Sequence, residues 1–125
     1  MFRTGRRLSK EEAAISEKIL DALYRWTAGR KYCLDYPSYD SIAQELGITR
    51  EQLVWFCAEI LHVRFLTMRK RQRVAYAASL LRMDPTMPAI AAGQKAGIAD
   101  KSRFMRQFIE VMGMTTERWR ALSGQ

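Results

Sequence analysis

Several residue types are scarce in this chain, and each scarcity excludes a class of function. There is one histidine, His62, and two cysteines, Cys33 and Cys57, which stand too far apart for a metal-ligand pair. His62 has no evident nucleophile partner, no glycine-rich phosphate loop follows a strand pattern, and no strand pattern is present. The chain therefore reads as a non-enzyme that needs no metal and no cofactor. No apolar run approaches the length of a membrane span. The opening MFRTGRR runs into Lys10, Glu11 and Glu12, where a secretory signal would carry its apolar core. These features predict a cytoplasmic protein with reduced thiols and no membrane partner. Cys57 falls on an apolar helical face, as a core residue does.

What is abundant points elsewhere. The 125 residues are 48% hydrophobic, enough for a packed core. The formal charge is +8 and the pI near 9.9, a balance that favours a polyanionic partner. Residues 1–8 form a basic arm with Arg3, Arg6 and Arg7, either a solvated tail or a strap along phosphates. Ser9 and Glu12 have capping-box spacing and open a helix with Ile15, Ile19, Leu23 and Trp26 along one side. That helix should end near Gly29 to Lys31, and the aromatic connection from Tyr32 to Pro37 should pack over the first subdomain.

Ser38 caps a short helix that Gly47 stops, Ile48 is an apolar plug, and Thr49 with Gln52 opens a second helix buried through Leu53, Phe56, Cys57 and Ile60. Ser38 to Leu61 thus spells a helix-turn-helix. Its second helix offers Arg50, Glu51, Val54 and Trp55 outward as candidate base readers. Trp55 has two readings: contact with thymine methyls and sugar edges, or packing on the Tyr32 to Tyr36 connection or a protein partner.

A long helix follows from Val63, basic at first through Arg64, Arg69, Lys70, Arg71 and Arg73, then apolar through Val74, Ala77, Ala78 and Leu81. Arg64, Arg69, Lys70 and Arg71 are candidate phosphate contacts, against the alternative of a solvated charged face. Asp84 and Pro85 end it. Pro88 starts a helix running to Gly97, and Ile98 and Asp100 plug and cap the next. Phe104, Phe108 and Val111 bury one face of that last reading helix. Lys101, Ser102, Met105 and Arg106 are the candidate base readers, and Arg103 a candidate phosphate contact.

The stretch GIADKSRFMRQFIEVMGMTTERWR, residues 97–120, closely resembles the second helix-turn-helix of the AraC-type DNA-binding domain. The resemblance is carried by Gly97 with Ile98, by Phe104 and Phe108, by the basic Arg106, and by Gly113, Met114 and Thr115 followed by Trp119 and Arg120. Arg73 with Val74, Ala77, and Leu80 with Leu81 match the family's linker helix. Departures are Thr116 for a usual proline, Ala92 with Gly93 for an apolar residue and alanine, Trp55 for a basic or polar residue, and His62 for a glycine.

The resemblance implies an all-α fold: two helix-turn-helix subdomains, 9–62 and 84–125, joined by a linker helix over 63–83. It implies sequence-specific binding of double-stranded DNA by a transcriptional regulator, with two recognition helices in successive major-groove segments. Arg73 would orient the linker helix. The match covers the DNA-binding module alone, so no small-molecule effector site is expected. The alternative is a protein-interaction module whose first motif no longer reads DNA and offers Val54 and Trp55 to a protein partner. Nonspecific nucleic-acid binding through charge is a further possibility.

Overall fold

The computed structural model describes residues 7–123, so Arg3 and Arg6 of the basic arm lie outside the described residues. Within them the secondary structure is helical: α1 (Lys10–Ala28), α2 (Tyr39–Leu46), α3 (Arg50–Phe56), α4 (Phe65–Met83), α5 (Ala89–Lys95), α6 (Lys101–Met112) and α7 (Thr116–Ser123). A short 3₁₀ turn covers Lys31–Cys33, and a π-helical turn, Cys57–Leu61, continues α3. The chain divides into two compact units. One holds the residues through Gly29 together with Tyr36–Val63, the other Arg30–Asp35 together with the residues from Arg64 onward.

In the first unit local chemistry sets the helix ends. Ser9 and Glu12 exchange two 3.0 Å hydrogen bonds, each backbone N–H donating to the other's side chain. Thr49 and Gln52 make the same reciprocal pair at 3.0 and 3.1 Å, and Ser38 pairs with Ser41 in that manner. Gly47, at φ 76°, stops α2 so that the fully buried Leu53 and Phe56 of α3 can turn inward with Ile42, Ala43 and Leu46. Ile19, Leu23 and Trp26 are buried, whereas Ile15, expected in the same stripe, is only half-buried. Cys57 is buried, and desolvation pushes its thiol up to about 11, as suits a core residue. The position where the family has glycine is His62, which takes the left-handed conformation itself at φ 55°.

The connection expected to cover the first subdomain is divided. Tyr36 belongs to the first unit: its hydroxyl accepts from Trp26 Nε1 at 3.1 Å and donates to Glu45 at 2.9 Å. Tyr32 instead packs in the second unit, its ring edge-on to Tyr76 at 6.5 Å. The reason is electrostatic: the carbonyls of Tyr32 and Leu34 are acceptors for two arginines of α4.

The second unit is built on α4. Val74, Ala77, Ala78 and Leu81 are buried with Ala92, Ala96, Ile98, Phe104 and Phe108 in one core. The helix starts at Phe65 and ends before Asp84, whose backbone is extended ahead of Pro85. No helix among the described residues is long and apolar enough to cross a membrane.

Candidate nucleic-acid interface

The geometry of α6 follows from its cap and its floor. Asp100 accepts the Arg103 amide at 2.7 Å, and Ile98, buried as the turn plug, returns its own N–H to Gly93 O at 2.8 Å. Phe104 and Phe108 are fully buried and meet edge to face at 5.8 Å. Gly93 explains one departure from the family pattern. A Cβ there would come within 2.7 Å of the Phe104 ring, so the missing side chain is what lets the phenylalanine seat. α7 clamps the arrangement: Trp119 Nε1 donates to Ala78 O at 2.9 Å, the Arg82 guanidinium lies 4.6 Å over the Trp119 ring, and Arg120 donates to Pro85 O at 2.9 Å. Thr116, in place of the usual proline, is buried.

With one face locked, α6 exposes Lys101, Ser102, Arg103 and Arg106. No acidic residue among the described residues forms an ion pair with these three cations. Met105 sits differently from them. It is half-buried against the second core, and its sulfur lies 3.9 Å from the Thr116 hydroxyl that donates to it.

The basic residues expected on the linker helix, Arg64 as the residue capping α4 and the others within it, differ in their surroundings. Arg64, at the helix start, and Arg71 are exposed. Lys70 approaches Glu110 at 3.4 Å. Arg69 is turned inward, its guanidinium donating to the carbonyls of Tyr32 and Leu34. Arg73 is held more firmly, donating to Tyr32 O at 2.5 Å, Leu34 O at 2.9 Å and Gly97 O at 3.1 Å, with its side chain 14% exposed. It ties the 30–35 segment and the turn before α6 to α4. Gly97, at φ 92°, adds to this junction, because a Cβ on it would strike the Cys33 carbonyl. Cys33 beside it has its thiol pKa raised by burial, which outweighs the nearby arginines.

In the first motif α3 exposes Arg50, Glu51 and Val54. The Arg50 guanidinium lies 5.6 Å over the Tyr39 ring. Trp55 is half-buried. It lines a groove of about 420 Å³ between α1 and α3 with Glu11, Glu12, Ile15, Glu51 and Gln52. Counted from their caps, Thr49 and Asp100, the two helices place Arg50 with Lys101, Glu51 with Ser102, Val54 with Met105 and Trp55 with Arg106. Sequence reasoning missed the groove because its α1 wall, Glu11 and Glu12, reads only as a favourable first helical turn. It also missed the inward turn of Arg69, since nothing in a basic run says which cations find carbonyls.

Capped helix pairs joined by a glycine turn and an apolar plug, with a cation-bearing second helix, define a DNA-binding helix-turn-helix protein. A family model described as Helix-turn-helix domain matches residues 42–122, and the chain belongs to that family, of AraC type. Among solved structures it is similar to a protein of unknown function from Listeria innocua, with 23% identity over 83% of this chain and 95% of that one, at a TM-score of 0.69. That likeness concerns the fold. No curated protein matches the chain.

Proposed function

We propose that the protein binds double-stranded DNA sequence-specifically and regulates transcription, with α6 and α3 entering successive major-groove segments. The observation that carries this reading is α6, a capped helix fixed by Phe104 and Phe108 whose outward side bears Lys101, Ser102, Arg103 and Arg106 without ion-pair partners among the described residues. Long cations on a helix fixed in this way suit bidentate contact with guanine, and a small hydroxyl beside them leaves room for close approach. Arg64 and Arg71 are the phosphate contacts of α4 that remain exposed. The bonds of Arg69 to Tyr32 and Leu34 make it a positioning residue in this reading. Two groove segments on one side of the duplex are separated by about one helical turn, roughly 34 Å, unless the DNA bends.

Selection of bound duplexes from a random pool tests the reading. A recovered motif spanning two groove segments supports it, and absence of any preferred sequence sinks it. On the winning duplex Arg106→Ala should weaken binding by about 1–3 kcal/mol while nonspecific affinity hardly changes. Equal losses on both would show that Arg106 contacts phosphate only.

A second reading is favoured by one observation. α3 carries Glu51, Val54 and Trp55 where α6 carries Ser102, Met105 and Arg106, and carboxylates surround the tryptophan. On this reading α6 alone reads sequence, and the first motif faces a protein. The pool selection would then return a single short segment.

A further inference from the structure

We infer that the groove between α1 and α3 is a docking site for a segment of a partner protein in which an apolar or aromatic side chain is flanked by lysine or arginine. The inference rests on the second reading above, in which the chain remains a DNA-binding module through α6.

The apolar part of the groove is formed by Trp55 and Ile15, both half-buried, and Val54, the residue before Trp55, is 50% exposed on α3. Trp55 offers a large flat surface that loses little rotamer freedom when covered, the property that makes tryptophan a recurrent anchor at interfaces. A volume of about 420 Å³ accommodates one large side chain and part of its backbone. Glu11, Glu12 and Glu51 line the same groove, in a protein whose formal charge is +8. Three carboxylates at this spot repel a phosphate backbone and attract a cation, and the tryptophan face reinforces that preference. The positional comparison with α6 agrees, because the groove replaces an arginine by tryptophan and a serine by glutamate at the equivalent distances from the cap. Charge complementarity thus selects a basic polypeptide over DNA as the occupant.

The test uses the full chain and a fluorescein-labelled peptide, GRKFLRKG, followed by anisotropy at low and physiological salt. Controls are GEEFLEEG and GRKAARKG, and the duplex recovered by pool selection is titrated in parallel. GRKFLRKG should bind about tenfold or more tighter than either control. Ile15→Ala and Trp55→Ala should each lower its affinity by about tenfold, and Glu11→Gln by about threefold at low salt, less as salt rises. Ile15→Ala and Glu11→Gln should leave duplex affinity within about twofold. Glu11→Gln is an exposed, conservative change, so its effect cannot be assigned to misfolding; circular dichroism monitors the folding of Ile15→Ala and Trp55→Ala, and duplex binding that of Ile15→Ala as well. Equal binding of all three peptides would overturn the inference, as would indifference of GRKFLRKG to Ile15→Ala and Glu11→Gln. Trp55→Ala that abolishes duplex recognition and spares the peptide would assign the face to DNA instead. If Phe2→Ala with Arg3→Ala raised peptide affinity about tenfold, the chain's own segment 1–7 would be the occupant and the partner segment excluded. Peptide binding without any duplex binding would sink the DNA reading and leave the groove standing, so the two failures are separable.

Discussion

Arg73 shows how much one side chain can organise. It donates to three backbone carbonyls, from Tyr32, Leu34 and Gly97, and the Tyr32 acceptor lies 41 positions away in sequence. Such charge-assisted bonds are stronger than neutral ones, and their removal leaves carbonyls short of partners at a partly buried junction. Arg73→Ala should therefore destabilise the second unit by about 2–4 kcal/mol, measured by thermal or denaturant unfolding. Arg73→Lys should recover only part of that loss, since an ammonium cannot span three carbonyls with the guanidinium's fixed fork. Wild-type stability in Arg73→Ala would mean that these bonds merely replace equivalent bonds to water. Arg69, one helical turn earlier, shares two of the same acceptors and belongs to the same junction.

The helices are delimited by punctuation that acts locally, and the punctuation is what the sequence displays best. The caps at Ser9, Ser38, Thr49 and Asp100 are visible as residue types at set spacings, and each forms its bond in the structure. The two turn glycines differ in what else constrains them. Gly47 has open space around a would-be Cβ, while Gly97 faces the Cys33 carbonyl. Gly47→Ala should cost about 1–2 kcal/mol, the left-handed backbone penalty alone. Gly97→Ala should cost clearly more, because backbone must also move; equal melting shifts for the two variants would show that the Cys33 contact relaxes freely. The difference was not legible in sequence, where both are simply a glycine before isoleucine. The same holds for Gly93, which reads as a weakened helix and proves to be the cradle for Phe104.

For the whole molecule, charge is distributed rather than merely abundant. The exposed cations of α6 and of α4 contrast with the carboxylates around Trp55. Counterion release makes the salt dependence of duplex binding a count of phosphates neutralised, about 0.9 in slope for each. Arg64→Gln with Arg71→Gln should reduce that slope by about 2 and keep the preferred sequence, whereas Arg69→Gln should leave the slope unchanged while lowering stability. A slope that responds to Arg69 and not to Arg64 and Arg71 would reverse the assignment of roles on α4.

Helix type, caps, stops and the apolar stripes were determined by the sequence itself, because each depends on residues within one or two turns of each other. The AraC-type pattern was legible for the same reason: its glycines, plugs and aromatics sit at short, regular spacing. The tertiary structure alone decided which cations are free and which are bound to carbonyls, why Gly93 is required, and that Trp55 lies in an acid-lined groove. Those outcomes join residues distant in the chain, Arg73 with Tyr32 and Trp55 with Ile15. A linear pattern records what a side chain can do, and only packing selects the partner with which it does it.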